Sequence, residues 1–481
     1  MERKANFLTE RLHFREVVRR SVSLSKHFRD QPRQNILNTS PHQTQSEGLQ
    51  AMGYPVRIKS YYAASAHPAP DRAELETSID CDVCVVGGGI AGCSTALHLS
   101  EQGYKVILLE EYRVGWGASG RSGAQAIHGV ASGQTQLEQL IGPTAARTVW
   151  DVSIEGLALM RSLITRHRID CGWSDGYLLT AVKERHLGEL RCELDQLQNR
   201  LGYTSVRYVP GEELHALLGT RRYIGALYDS NSGHLHPLNY TLGLAAAAEG
   251  SGVHIFEGTR ALGFRPASGA MGATVRVRTP RGEVRANDLV LCGNVYLGGT
   301  APVLTSKIMP IGSHIIATEP LGAERARALI ANNAAVCDMN WVLDYYRLSG
   351  DYRLLFGGRV SHSGNRAVDP TTAIRHRMLK VFPQLAGVRI DYSWGGQVDV
   401  TRNRAPNFGR LASNIYYLQG FSGHGIALTG IAGKLVAQAI AGSTERFDVF
   451  AKIPHRNFPI PALRRPALAL AMLYYRLRDL L

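Results

Sequence analysis

The stretch DVCVVGGGIAGCSTALHLSEQGYKVILLE, residues 82–110, constrains the fold more than any other part of the chain. Its opening valine-rich run reads as a parallel strand buried on both faces, since such a strand has no polar side. Ala91, Thr95, His98 and Leu99 then follow helical spacing until Gly103 ends the helix, and KVILLE is a second buried strand. The unit is therefore βαβ. Between strand and helix, Gly87, Gly89 and Gly92 have G-x-G-x-x-G spacing, and Glu110 stands at the tip of the second strand. Gly87 serves a tight turn, Gly89 lets backbone approach a pyrophosphate, Gly92 lets the helix pack closely, and Glu110 accepts from ribose hydroxyls. The helix N-terminus supplies free N–H groups and a dipole that favours anions. These residues point to a dinucleotide and leave NAD and FAD both open.

Further glycines extend the pattern. EYRVGWGASGRSGAQAIHG follows Glu110 with Gly115, Gly117, Gly120, Gly123 and Gly129, a density that lets backbone run against a flat, bulky ligand. Near the other end, NIYYLQGFSGHGIALTGIAGKLVAQAI reads as a strand, a glycine-rich turn through Gly420, Gly423, His424 and Gly425, and a helix. LVLCGNVYL is another buried strand, and ATVRVRTPRGEVRANDLVL alternates about a turn as a hairpin does.

Taken together, VVGGGIAGCSTALHLSEQGYKVILLE, GASGRSGAQ, VLCGNVYL and GFSGHGIALTGIAGKLVA resemble the D-amino-acid-oxidase and glycine-oxidase superfamily of FAD enzymes. SYYAASA, YYRLSGDYRLLFGGRV, WGGQVDVTRNRAPNFGR and the closing IPHRNFPIPALRRPALALAMLYYRLRDLL are similar to gamma-glutamylputrescine oxidoreductases within it. The likeness runs over residues 60–481. It implies an α/β fold, α+β overall, with a Rossmann-type FAD-binding domain of the glutathione-reductase-like kind and an antiparallel-sheet substrate domain. The FAD-binding domain is expected at 78–150, 236–300 and 391–446, and the substrate domain at 151–235 and 301–390. Residues 1–59 are expected to be a disordered extension or to precede a true start at Met52, the alternative being an organelle-type transit segment, and 447–481 are expected to be a C-terminal tail and helix.

The resemblance also implies roles for particular residues. Gly87, Gly89, Gly92 and Glu110 would hold the pyrophosphate and adenosine ribose, and Ser119, Gly120, Arg121 and Gln125 would lie along the diphosphate and flavin. Gly423, His424 and Gly425 would meet the ring, although His424 could instead cap the helix that follows it. Lys307 could help oxygen capture an electron, the alternative being a solvated lysine at a strand start. Trp341, Tyr345, Tyr346 and Trp394 are candidate pocket aromatics, any of which could be core instead. Sarcosine-oxidase relatives carry a lysine two positions after GHG, where this chain has Ala427 behind Ile426. That departure favours an amine whose carboxylate lies far from the reacting carbon. No histidine or cysteine stands within GASGRSG, so the FAD is expected to be non-covalent, with Cys337 more readily an apolar filler than an attachment point.

Charge and cysteines narrow the remaining classes. The net charge is +14, of which residues 1–50 contribute +4 and residues 451–481 contribute +5, and no basic stripe with interleaved aromatics is present. Nucleic-acid binding is disfavoured. Seven scattered cysteines without a signal-peptide core suggest a reducing, cytoplasmic compartment. Cys81 and Cys84 have C-x-x-C spacing, but on a strand positions three apart should face opposite ways. No metal-ligand pattern is evident.

The expected reaction is oxidation of an amine C–N bond to an imine that water hydrolyses, with gamma-glutamylputrescine or a related polyamine derivative as substrate. Oxygen or another electron acceptor would reoxidise the flavin. The alternative is an amino-acid or amine dehydrogenase that passes electrons to a quinone. A membrane contact for such a carrier could use Leu470, Leu473, Leu477, Leu480 and Leu481, which share a helical stripe, although a helix packed on the protein is the simpler reading. The apolar run there is too short to span a bilayer. A flavin-binding scaffold without turnover is the third possibility, because fold does not fix function.

Overall fold

The computed structural model describes residues 58–266, 274–359 and 369–458, together with 466, 470, 474, 478 and 479. The expected extension, apart from residues 58 and 59, and most of the C-terminal leucine stripe therefore lie outside the described residues. Of that stripe only Leu470 is described, and it is 62% exposed.

Two sheets carry the molecule. The first has the order Asn407–Ala412, Ile415–Gln419, Glu283–Leu291, Ile79–Val86, Val106–Leu109, His254–Phe256. Ile79–Val86 runs parallel to both Glu283–Leu291 and Val106–Leu109, as a βαβ crossover requires. Val275–Arg278 pairs antiparallel with Glu283–Leu291, which is the hairpin expected from the alternating sequence. Val83, Val85, Val106, Leu108 and Val290 feed one core, while Cys84, Val86, Ile107, Leu109 and Leu291 feed another. The sheet is thus buried on both faces. The helices Ile90–Ser100, Pro237–Gly250 and Gly425–Ile440 cover one of them.

Cys81 does not follow the expected alternation. The N–H groups of both Asp82 and Val83 donate to the Lys105 carbonyl, and Cys81 joins Cys84 in the same core cluster. Burial pushes the Cys81 thiol up to about 12 and raises Cys84 well above its ordinary value, which leaves both thiols unreactive.

The second sheet has the order Ile390–Val400, Met309–Thr318, Leu354–Arg359, Asp344–Leu348, Ala335–Asp338, Ser174–Ala181, Gly225–His234, Gln125–Ala126. Val206–Pro210 pairs with the outer side of Gly225–His234. All its pairings are antiparallel except that between Ala335–Asp338 and Ser174–Ala181. One face packs Val336, Tyr346, Phe356 and Phe382 into a core of its own. The other face presents Tyr177, Cys337 and Tyr345. Ile390–Val400 pairs along its length with Met309–Thr318, so the segment expected to open a stretch of FAD-binding domain at residue 391 begins as a strand of the second sheet.

Among the described residues no single helix is long and apolar enough to cross a membrane. The apolar helix Gly425–Ile440 is core, with Ile431, Ala432, Val436 and Ala437 fully buried.

Candidate functional site

A long cavity lies between the two sheets, and it gathers segments distant in sequence. Its first end is the βαβ turn. Gly87 has φ +109, and a Cβ there would stand 2.9 Å from the Cys292 carbonyl carbon and the Gly293 nitrogen, both backbone. No side chain fits, which is why the chain gives one up at this turn. Gly89 is different. Its backbone is extended, and the nearest atom to an added Cβ is Ser119 Oγ at 2.9 Å, so its constraint is space alone. Gly92 faces away from the cavity; a Cβ would collide with the Gly87 carbonyl oxygen, and the residue serves helix-to-turn packing. Gly120 likewise packs, against the Gly115 carbonyl, and is not in the lining.

Gly89 caps the Ile90–Ser100 helix without a side-chain bond. The first helical N–H, of Ile90, donates to Ser119 Oγ at 3.0 Å, which fixes the glycine-rich segment over the helix end. Glu110 accepts from the N–H groups of Gly88 (2.6 Å) and Tyr112 (2.9 Å). Burial outweighs those bonds and pushes its carboxyl up to about 7.

Arg121 is buried, lines the cavity, and makes no ion pair among the described residues. Its guanidinium lies 4.2 Å from the Trp116 ring centroid and donates to the Gly117 carbonyl at 3.3 Å and the Tyr296 hydroxyl at 3.4 Å. Tyr112 stacks on Trp116 at 4.0 Å, and the buried Trp116 Nε1 has no hydrogen-bond partner. Gln125 lines the cavity while its Nε2 donates to the Val336 carbonyl at 3.0 Å.

The C-terminal turn closes the site. Gly423, His424 and Gly425 all line the cavity, at the start of the Gly425–Ile440 helix. His424 occupies the cap position, but its imidazole makes no capping bond. Burial lowers it to about 3, and the positive charge of Arg404 acts in the same direction, so the ring is neutral at working pH. Beneath the turn, the buried Asp399 accepts from the Phe421 N–H at 2.8 Å. Burial raises its carboxyl to about 6.

The second sheet supplies an apolar end made by Ile127, Tyr177, Ile311, Ile315, Leu343 and Tyr345. Tyr345 OH and Ser313 Oγ lie 2.9 Å apart, and burial raises the phenol to about 12, so it stays protonated. Cys337 is also in the lining.

Several expectations are redrawn here. Lys307 lies outside the lining, and its Nζ donates to the His455 carbonyl at 2.9 Å, tying down the segment that follows Ile453; that bond, not a ring contact, is where its charge is directed. Of the four candidate aromatics only Tyr345 reaches the cavity. Tyr346 stacks on Phe356 in the core of the opposite face, Trp341 is 40% exposed, and the buried Trp394 donates from Nε1 to the Arg121 carbonyl at 3.0 Å. Tyr112, Trp116, Tyr177, Tyr296 and Asp399 were not singled out from sequence. Tyr112 and Trp116 could have been, since they lie within the glycine-rich run that follows Glu110.

The residues fit FAD. A turn without side chains, an unpaired buried guanidinium, a partnerless indole N–H and two helix N-termini line one elongated space, and together these suit an anionic pyrophosphate joined to flat rings. Among the described residues no group of three or more His, Cys, Asp or Glu is placed to hold a metal ion.

The family model described as DAO, FAD dependent oxidoreductase, matches residues 82–439. The chain is 41% identical over 422 residues to gamma-glutamylputrescine oxidoreductase of Escherichia coli strain K12, covering 87% of this chain and 98% of that protein. It is 42% identical over 401 residues to the probable oxidoreductase OrdL of Haemophilus influenzae, covering 82% and 91%. Among solved structures it resembles glycine oxidase from Bacillus cereus ATCC 14579, with a TM-score of 0.64 at 22% identity, covering 78% of this chain and 99% of that one.

Proposed function

Because the chain belongs to the DAO family of FAD-dependent oxidoreductases, we propose that it oxidises the C–N bond of an amine, with gamma-glutamylputrescine or a related polyamine derivative as substrate. The observation that carries the amine reading is the chemistry of the cavity's second end. Its walls are Ile127, Ile311, Ile315, Leu343 and two tyrosines; His424 and Tyr345 there are uncharged at neutral pH, and Arg404, whose positive charge acts on His424, opposes a protonated amine in the same way. Such a wall desolvates an incoming ammonium and lowers its pKa, which raises the share of the neutral amine whose lone pair can support a developing imine.

FAD, when bound, supplies a two-electron acceptor for the hydride that leaves the substrate carbon. Gly87, Gly89, Arg121 and the start of the Ile90–Ser100 helix would hold its pyrophosphate, and Glu110 its ribose. Gly423, His424 and Gly425 would sit against its flavin end, where the N-terminus of the Gly425–Ile440 helix favours negative charge. The chain's own work is to bind and orient the amine, to exclude water with the apolar wall, and to keep the nitrogen deprotonated. Ile426 and Ala427 leave no cation two positions beyond the GHG turn, which accords with a substrate bearing no carboxylate at the reacting carbon.

The test is stopped-flow bleaching of the flavin without oxygen, at subsaturating amine, over a pH series. The rate should rise with pH toward a plateau as the substrate ammonium, whose free pKa is about 10.4, gives up its proton. Because His424 is held at about 3, it should add no second ionisation above about pH 5. A panel should show gamma-glutamylated or free diamines ahead of glycine, sarcosine and D-amino acids in kcat/KM. A rate independent of pH where the ammonium titrates, with reduction rate-limiting, would point to an alcohol or hydroxy acid instead. Peroxide yield in air separates oxygen from a carrier as the acceptor.

A further inference from the structure

Leu343 of the cavity's apolar wall stands on a loop that is fastened from outside by a residue the proposed chemistry does not use. Residues 339–343 join the strands Ala335–Asp338 and Asp344–Leu348, so the loop lies between Cys337 and Tyr345, both in the cavity lining. Beyond the ends of the two strands its backbone groups need partners of another kind. Asp338 closes the base, accepting from the N–H groups of Asn340 and Asp344 at 3.1 Å each. Arg377 holds one side. It donates to the carbonyls of Val342 at 2.7 Å and Leu343 at 2.8 Å, and pairs with Asp344 at 2.6 Å.

The N–H groups of Trp341 and Val342 go to Asp479, 137 residues beyond Val342 in the chain. One carboxylate oxygen accepts from Trp341 at 2.8 Å and the other from Val342 at 2.9 Å, so each oxygen serves one donor. Asp479 is itself held. Its carbonyl accepts from Lys183 Nζ, the Arg478 carbonyl accepts from Arg185 at 3.2 Å, and the Arg478 guanidinium lies 5.0 Å from the Trp341 ring centroid. Lys183 and Arg185 stand at the start of the Glu184–Asp195 helix, so a line of contacts runs from that helix through Asp479 to the loop. Because peptide units are planar, fixing two successive N–H groups fixes two planes. With Arg377 on the next two carbonyls, the direction in which Leu343 leaves the backbone is set.

We propose that Asp479 is a positioning residue for the substrate wall: by holding the Trp341 and Val342 N–H groups it keeps Leu343 in the cavity, and so sets the enzyme's affinity for the alkyl chain of its amine. The inference rests on the amine reading above. Asp479 is not in the cavity lining and acts only through the backbone of the loop. Its charge is not what the loop requires. Two acceptor oxygens on one rigid group are, and an asparagine offers one, with an NH2 group turned on the other N–H.

The experiment uses FAD-loaded full-length enzyme and whichever of gamma-glutamylputrescine and 1,4-diaminobutane wild type oxidises faster. Asp479→Asn should raise KM about 3- to 30-fold, with kcat within about threefold and the FAD dissociation constant within about twofold. Hydrogen exchange read by mass spectrometry should show the peptide containing Trp341 and Val342 exchanging about fivefold faster or more in that variant. Lys183→Met, which removes the donor to the Asp479 carbonyl, should raise KM by a smaller factor. The double variant should be no worse than Asp479→Asn alone, because both changes act through one contact. If Asp479→Asn fails to fold with FAD, the decision passes to Lys183→Met, which must raise KM by itself. A wild-type KM in Asp479→Asn, an equal loss of FAD affinity, unchanged exchange at Trp341 and Val342, or additive effects of the two changes would overturn the inference and leave amine oxidation standing. A wild type whose flavin neither amine reduces would remove the amine reading, and this inference with it.

Discussion

Three glycines of one motif are held for three different reasons. Gly87 is fixed by its positive φ, Gly89 by the space beside Ser119, and Gly92 by the carbonyl of Gly87. The consequences of substitution therefore differ. Gly89→Ala should fold, since its extended backbone suits any residue and only the Ser119 hydroxyl must give way, at the cost of its bond from the Ile90 N–H, but the methyl group stands in the cavity and should lower the FAD-to-protein absorbance ratio. Gly92→Ala should instead lower the thermal midpoint of the apoprotein, because backbone must move to admit a Cβ. Equal effects of the two changes on apoprotein stability would refute this division. The spacing of these glycines was legible in the sequence because the motif is local. Glu110 was legible as an acid at a strand tip, whereas its bonds to the Gly88 and Tyr112 N–H groups were not, since they depend on how the loop folds back. Lys307 misled for the same reason: nothing nearby in sequence announces that the His455 carbonyl will meet its amine.

At the scale of elements, local pattern identified the strands and left their partners hidden. The apolar runs at 83–86, 106–109 and 289–291 read as buried strands and are so. The segment IDYSWGGQVDV gives no such signal, because it shows mixed burial, contains two glycines, and pairs with a strand some eighty residues earlier. Yet it is this strand that links the core to the site. Trp394 holds the Arg121 carbonyl at one point along it, and Asp399 holds the C-terminal turn at another. The turn needs that support, because Ser422 has φ +54, a region a serine rarely occupies. Asp399→Ala should free the Phe421 N–H and weaken FAD binding by about tenfold or more, at about 1–3 kcal/mol for each buried group left unpaired. Asp399→Asn, which keeps an acceptor oxygen, should lose less. Titration of apoprotein with FAD, followed by quenching of flavin fluorescence, gives both constants, and a wild-type constant for Asp399→Ala would show that the turn holds its shape without the carboxylate.

Across the whole molecule, the cavity lies where the two sheets meet over a core that residues of both share, and its walls come from both. An interface lined by the unpaired Arg121, the partnerless Trp116 indole and the buried Asp399 is expensive to keep empty, since each group is desolvated without full compensation. FAD binding should therefore be coupled to stability. A ligand that binds only the folded state adds about 2.7 kcal/mol when present at a hundredfold excess over its dissociation constant. For a chain of this size that amount should appear as a rise of a few degrees in the thermal midpoint, and the rise should grow with the logarithm of free FAD. The same coupling predicts release. Since no histidine or cysteine stands within GASGRSG, denaturation by acid or heat should return the yellow colour to the supernatant, and the flavin there should have the mass of intact FAD. Colour that sediments with the chain would establish a covalent bond, with Cys337 of the cavity lining as the first position to replace. A midpoint that ignores added FAD, in protein shown to bind it, would mean that the two sheets hold together without help from the ligand between them.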